Sequence, residues 1–271
     1  MLAICCMTMQ PEHFSFWLHH HLNVIDANYI LLRVENTFLK IPDEFSKKVV
    51  ICEQEQIQDA NIDSIIRQQE RQKDFVNRCL YDYCPGLGIQ HLLHIDDDEL
   101  FFIGKHIDSI QGLLEKSFRR REIQYLRIQN YEAVLRFTPQ RQEYFFQTSW
   151  FKNANVEDCR SYKNGKSIAF VSRGSNCNGC HTFTGNWLKI AEEDAIIAHY
   201  DSITFDKWKA KFNHLKSMTK IPKSIFPFYQ QSIELFLTGA SEESLYKFWK
   251  DAVSQCTNPI NISVNYRFFI N

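Results

Sequence analysis

The sequence predicts an α/β protein built on a parallel sheet with helices on both faces. Three observations predict it: strand-like and helix-like segments alternate over the first hundred residues, the strands are near-continuous apolar runs, and an acidic run follows the fourth of them. In sheets of this kind ligands collect at the carboxyl ends of the strands, which is where that run falls.

Residues 2 to 9 read as the first strand. Residues 12 to 22 read as a helix with Phe16, Trp17, His20 and Leu22 available for one face. Asn28 to Val34 is a second strand and Val49 to Cys52 a short third. Asp63 to Tyr81 carries Ile65, Ile66, Phe75, Val76, Cys79 and Leu80 among Arg, Gln and Lys, an amphipathic helix with Asp63 as N-cap. Gly86-Leu-Gly88 breaks the chain before a fourth strand, His91 to Ile95, which ends on Asp96-Asp97-Asp98-Glu99. Ile107 to Leu114 reads as helix, Ile123 to Leu135, Tyr144 to Trp150 and Ser167 to Ser172 as later strands, and helices over 225–237 and 242–253 close the chain. No repeat or low-complexity linker interrupts it, so residues 1–271 are expected to form a single domain.

With 44% hydrophobic and 23% charged residues, 7 Pro and 9 Gly, the chain has an ordinary globular composition. A net charge of -1 gives no bulk attraction to nucleic acid or anionic membrane, so an anionic partner has to be held locally. No window approaches the roughly 20 apolar residues of a membrane span. The apolar start Met1 to Met7 lacks a basic flank and meets Gln10-Pro11-Glu12 too soon for a signal peptide. Nine cysteines, an odd number set mostly in apolar segments, suit free thiols in a reducing compartment. The expectation is a soluble cytoplasmic protein, bacterial or in the host cytosol of a virus.

An Asp-x-Asp pair at a strand end points two carboxylates toward one hard cation, because alternate residues in extended chain share a face. Mn²⁺ or Mg²⁺ held so can bridge a diphosphate and stabilise the charge that develops on it as a leaving group. A solvated acidic turn is the competing reading of the same four residues.

The string His94-Ile-Asp-Asp-Asp-Glu-Leu-Phe-Phe102 resembles the Asp-x-Asp segment of GT-A fold glycosyltransferases, especially the family 2 and family 92-like branch. Other pieces match in order: residues 12 to 22 resemble that group's first helix, residues 67 to 80 its Arg/Gln-rich helix, and Gly165-Lys-Ser-Ile168, His181, Ala198-His-Tyr200 and Lys211 its closing pattern. The matches span residues 1 to 211. The resemblance implies a GT-A fold, a Rossmann-like nucleotide-binding sheet with an acceptor-side half: about 1–104 for the nucleotide sugar, about 105–215 for the acceptor, and 216–271 as C-terminal helices. The second strand departs from the group by ending Arg33-Val-Glu35-Asn36-Thr37, where an Asp-Asn-x-Ser type turn is more usual.

What the resemblance implies for the site is as follows. Asp96 and Asp98 are the metal pair, with Asp98 the direct ligand, and a late histidine, His181 or His199, completes the metal shell. Glu35 contacts the base or ribose, and Arg71 and Lys166 hold the diphosphate, with Arg67 one helical turn before Arg71. An inverting transfer needs a general base, for which Asp158 and Glu157 are the candidates, followed by Glu143 and the run Glu192-Glu193-Asp194. The donor is a nucleoside-diphosphate sugar, a UDP-sugar favoured, and the acceptor a glycan hydroxyl.

Several features have competing explanations. Cys177-Asn-Gly-Cys180-His181 spells a haem-attachment string, yet no export signal accompanies it, and zinc binding there lacks a second pair of ligands. A Gly/Ser/Asn-rich loop at the site mouth is the simpler account. Arg119-Arg-Arg121 complements a helix dipole at a helix end. Tyr144, Phe145, Phe146, Trp150 and Phe151 read as aromatic core, whereas Trp187 beside the loop of His181 suits an acceptor contact. Two other functions compete with the first. A nucleotidyltransferase would use the same scaffold, but residues 7 to 14 carry no glycine for a phosphate loop. A non-catalytic carbohydrate-binding protein would keep the fold without needing the acidic run.

Overall fold

The computed structural model describes residues 1–9, 13–57, 65–136, 148–154, 160–179, 181–217, 226–256 and 258–267. In chain order the elements are β1 (Leu2–Thr8), α1 (Phe14–His19), β2 (Tyr29–Glu35), β3 (Val49–Glu55), α2 (Ile65–Arg78), α3 (Cys84–Gly86), β4 (His91–His94), β5 (Glu99–Ile103), α4 (Ile110–Ser117), β6 (Tyr125–Ala133), β7 (Trp150–Asn153), β8 (Lys166–Phe170), β9 (Trp187–Lys189), β10 (Ala195–His199), α5 (Phe205–Leu215), α6 (Pro227–Leu237), α7 (Glu242–Ser254) and β11 (Ile260–Asn261). The fold is mixed α/β, and its strands form one curled, mixed sheet.

Strands β3, β2, β1 and β4 lie side by side in that order and are all parallel. Their alternation sorts the core into two halves. Leu2, Ile4, Ile30, Leu32 and Leu93 belong to one buried cluster, and Ala3, Cys5, Leu31 and Leu92 to the other, where Phe75, Val76 and Cys79 from α2 and the turn after it cover them. A strand buried on both faces has no solvent side to encode, which is why these segments read as continuous apolar runs.

Past β4 the sheet becomes antiparallel: β8 pairs with β4 and with the first half of β6. β6 is long enough to serve two neighbourhoods. Residues 125–128 pair with β8 and 125–127 with β9, whereas residues 129–132 pair with β10, and 131–133 with β7. β10 in turn carries β5 antiparallel on its other side, so the chain immediately after the acidic run is hydrogen-bonded to the chain ending at His199.

The other edge of β5 is closed by α1 and the wider helical turn His20–Val24 that follows it. Trp17 Nε1 donates to the Glu99 carbonyl at 2.8 Å, His20 Nε2 donates to the Phe101 carbonyl at 2.8 Å, and the Phe101 N–H donates to His21 Nε2 at 3.2 Å. Side chains thus supply what a neighbouring strand would have supplied. Burial disfavours the charged form of both imidazoles and pushes His20 down to about 4, against the Phe101 carbonyl bond, which favours its proton.

Most elements lie where the sequence places them, and some differ for physical reasons. The helix expected over 63–81 is described from Ile65 and continues as a wider turn over Cys79–Tyr83; its expected cap Asp63 lies outside the described residues. Tyr144, Phe145 and Phe146 also lie outside them, and the strand expected there is described only from Trp150. α5 has no counterpart in the sequence reading, although Trp208, Phe212 and Leu215 form its buried stripe and Thr204 caps it. The acidic run is not extended chain: β4 ends at His94, and residues 97 and 98 form a tight turn into β5, with the Glu99 N–H on the Asp96 carbonyl at 3.1 Å. No helix among the described residues is long and apolar enough to cross a membrane.

Candidate functional site

The carboxyl ends of β1, β2 and β4 meet around the acidic turn. Because residues 96–98 turn, their three carboxylates spread in three directions, and each finds a different partner. Asp96 Oδ1 accepts from Gln72 Nε2 of α2 at 2.7 Å and Oδ2 from Lys166 Nζ at 2.7 Å. Asp97 Oδ2 accepts from the hydroxyl of Thr8, the last residue of β1, at 2.8 Å. Asp98 Oδ2 faces His199 Nε2 across 3.6 Å, and the Asp98 carbonyl accepts the Tyr200 N–H at 2.9 Å, so the turn is pinned to the end of β10.

Glu99 turns inward and is fully buried. Its Oε2 accepts the Asp96 N–H at 2.7 Å and lies 3.2 Å from Lys166 Nζ, whereas Oε1 has no hydrogen-bond partner among the described residues. Lys166 is therefore an internal cation, 0% exposed, between Asp96 and Glu99. Gly165 brings it there: its φ of +67° suits glycine, and a Cβ would fall 1.8 Å from the Ile128 carbonyl oxygen.

The charges tune one another. Burial works against the Asp96 carboxylate, but Lys166 and His94 beside it hold it well below the usual carboxylate range. Burial and the adjacent Asp98 push Asp97 up to about 7, and burial pushes Glu99 up to about 7 against the pull of Lys166. Burial disfavours the His199 imidazolium, yet Asp98 outweighs it and lifts His199 to about 9. His181 goes the other way, to about 3, through burial and the Lys166 charge.

The two histidines expected near the metal stand on either side of one ring. Tyr162 packs against His181 at 4.1 Å and His199 at 5.1 Å between ring centroids. Only His199 is aimed at a carboxylate of the turn at this range, because β10 runs antiparallel to β5 and its last residue pairs with Glu99. His181 instead has Nδ1 at 3.2 Å from the Gly165 carbonyl.

Behind His199 lies a buried chain of bonds. Its Nδ1 is 2.9 Å from Ser161 Oγ, which is 2.7 Å from Glu132 Oε1. Glu132 also accepts the backbone N–H groups of Arg160 and Ser161 at 2.9 and 2.7 Å. The order Ser161, His199, Asp98 resembles a nucleophile relay, but Ser161 is 2% exposed and its hydroxyl lies against a carboxylate that can only accept. Acyl transfer from that serine is not what this arrangement does.

The other expected residues fall as follows. Glu35, at the end of β2, is fully buried and clamped: Arg33 Nε and Arg71 Nε each lie 2.8 Å from Oε1, and Arg71 Nη2 lies 3.0 Å from Oε2. Arg71, 19% exposed, is the member of that clamp with access to solvent. It neighbours Gln72, so the clamp adjoins the acidic turn. Glu157 and Asp158 lie outside the described residues, as do Glu143 and Cys180. Glu192, Glu193 and Asp194 precede β10 at the end opposite His199; Glu192 accepts from Tyr131 and Asn153, and Asp194 bonds His106 at 2.9 Å. That removes the run from the acidic turn by the length of the strand. Cys177 is buried with its thiol on the Gly179 carbonyl at 3.0 Å, and Arg119-Arg-Arg121 is exposed beyond the end of α4. Trp187 is 47% exposed on β9, with the Arg127 guanidinium 4.8 Å over its ring. Its register with Tyr125, three residues from the Ile128 that pairs with Lys166, sets it roughly 10 Å along the strand direction from the level of Lys166.

Sequence reasoning missed Thr8, Gln72, Glu132 and Ser161, and of the trio Asp201, Lys211 and Tyr229 it named only Lys211. In that trio Asp201 Oδ1 accepts from Lys211 at 2.6 Å and Oδ2 from Tyr229 at 2.8 Å, next to His199 and within electrostatic reach of Asp98. Among the described residues no three His, Cys, Asp or Glu side chains form a ready-made metal centre. Asp98 and His199 are a pair, and a divalent ion would need its remaining oxygens from a ligand or water. No known family model matches this chain, and no curated protein matches it.

Proposed function

We propose that the protein is a metal-dependent glycosyltransferase of GT-A type, moving a sugar from a nucleoside-diphosphate sugar, a UDP-sugar by preference, to a glycan hydroxyl with inversion. The observation that carries this reading is the Asp98–His199 pair at 3.6 Å, standing at the carboxyl ends of parallel strands. Adjacent ligands on one octahedral Mn²⁺ or Mg²⁺ lie about 3 Å apart, so an ion entering between these two groups needs only a small adjustment. Such an ion, when bound, would neutralise charge on the leaving diphosphate.

The chain's own residues do the rest. Asp98 and His199 would hold the cation through an oxygen and a nitrogen, with further oxygens left to the diphosphate or water. Asp96 acts through the turn: held by Gln72 and Lys166, it fixes the backbone from which Asp98 projects. Arg71, oriented by Glu35, faces the nucleotide side. Lys166 serves the acidic turn from within, while Lys211 stands on the solvent side, its side chain 35% exposed. Asp158 or Glu157 takes the acceptor proton.

A panel of UDP- and GDP-sugars with Mn²⁺ tests the proposal by thermal shift and by donor hydrolysis or transfer. Stabilisation by at least one donor, dependent on Mn²⁺ and abolished in Asp98→Ala, is expected. No shift with any donor, together with an unchanged Asp98→Ala profile, refutes it. Glycan binding indifferent to a chelator favours the carbohydrate-binding alternative instead.

A further inference from the structure

Building on the metal reading above, we propose that Ser161 and Glu132 are positioning residues that dictate which ring nitrogen of His199 is presented to the acidic turn. Glu132 is 1% exposed and its charge is met by Arg160 Nε at 3.6 Å and Lys152 Nζ at 3.8 Å, so it is a carboxylate and only accepts. Ser161 Oγ, 2.7 Å away, must spend its single proton on Glu132. Toward His199 the same oxygen can then only accept, and at 2.9 Å it accepts from Nδ1–H. With Nδ1–H held by Ser161, Nε2, which faces Asp98, is the nitrogen that would give up its proton and turn a lone pair toward a cation.

The direction of this chain is what matters. With the opposite polarity, Ser161 donating to Nδ1, the imidazole would keep its proton on Nε2 and offer an N–H where a metal needs a lone pair. A carboxylate behind the serine excludes that polarity. Anchoring the 160–161 backbone would require only the two N–H bonds to Glu132; the Ser161 hydroxyl adds the link to the ring. Sequence gives no hint of it, since Glu132 and Ser161 are 29 residues apart and His199 reaches them only because β10 pairs with β6, setting His199 opposite Glu132.

The test is a Mn²⁺ titration followed by the electron paramagnetic resonance of the free ion, with and without UDP, on wild type, Ser161→Ala and Ser161→Thr. Ser161→Ala is expected to bind Mn²⁺ about 10- to 100-fold more weakly with an unchanged unfolding midpoint, and Ser161→Thr, which keeps the hydroxyl, to bind like wild type. Imidazole ¹H–¹⁵N spectra of the metal-free protein give a readout that a merely structural serine would not move: an exchange-protected Nδ1 proton on His199 in wild type and Ser161→Thr, lost in Ser161→Ala. Wild-type affinity and a retained Nδ1 proton in Ser161→Ala overturn the assignment while leaving the metal reading standing. Wild type that binds no Mn²⁺ even with UDP overturns the metal reading, and the assignment with it.

Discussion

Replacing Lys166 by methionine separates two roles that its sequence context leaves open, diphosphate holder or internal counter-ion. Its ammonium is 0% exposed, 2.7 Å from Asp96 and 3.2 Å from Glu99, and methionine keeps the bulk of the side chain while deleting the charge. Breaking a buried ion pair from one side costs about 3–5 kcal/mol, because the partner is left charged and desolvated. Here the lower end applies. Asp96 is 28% exposed and keeps the Gln72 bond, and Glu99 can take up a proton instead of remaining a buried anion. The expected loss is roughly 3 kcal/mol, which for a chain of this size lowers Tm by roughly 6–12 °C. Calorimetry at pH 7 measures it. Adding Glu99→Gln to Lys166→Met should recover part of the loss, since a neutral amide no longer requires the cation, with about 1–3 kcal/mol of coupling in the double-mutant cycle. A Lys166→Met protein within about 0.5 kcal/mol of wild type, combined with weaker donor binding, refutes this reasoning and moves Lys166 onto the diphosphate.

Three further outcomes follow from the same geometry. His20 binds its proton at about 4 when folded against an ordinary 6.5, so the unfolded chain takes up a proton the folded one refuses. Its contribution is intact above pH 6.5 and is lost as pH falls toward 4, by roughly 3 kcal/mol at about 1.4 kcal/mol per pH unit. Urea unfolding from pH 8 to 4.5 should show a shallower pH dependence in His20→Gln than in wild type; parallel curves contradict it. Gly165→Ala places a Cβ 1.8 Å from the Ile128 oxygen at a positive φ, so a loss of at least about 2 kcal/mol is expected in the same assay, and an unchanged midpoint would mean the loop moves without cost. Trp17→Phe removes the donor to the Glu99 carbonyl while keeping an aromatic ring, and a loss of about 1–3 kcal/mol is expected; none would show that water or another group closes that edge of β5.

The first half of the fold was legible because its physics is local. Each of β1, β2 and β4 is an apolar run bounded by turn residues, and α2 with the turn after it shows a buried stripe at Phe75, Val76 and Cys79. The second half is harder because β6 changes neighbours midway and β8 returns antiparallel, so pairing depends on residues far apart in sequence. α5 is a different case. Its Trp208, Phe212 and Leu215 stripe and Thr204 cap were readable, but the charged residues Asp206, Lys207, Lys209 and Lys211 dilute the apolar signal.

For the candidate site, sequence located the turn but not its geometry. Four consecutive acids read as extended chain would share two faces, whereas a tight turn gives each carboxylate its own direction and hence its own partner. That difference follows from the Glu99 N–H closing on the Asp96 carbonyl, a bond no side-chain pattern encodes. Lys166 was found by its surroundings, but a lysine in a Gly-Lys-Ser string suggests an anion from solvent and does not announce the two carboxylates of its own chain that lie beside it. Gly165 is part of the reason: its positive φ just before β8 brings the backbone against Ile128, where a Cβ would fall 1.8 Å from the carbonyl oxygen, and Lys166 follows it into the interior. The glycine before Lys166 is thus present in the sequence, whereas the carboxylates the lysine meets lie about seventy positions away.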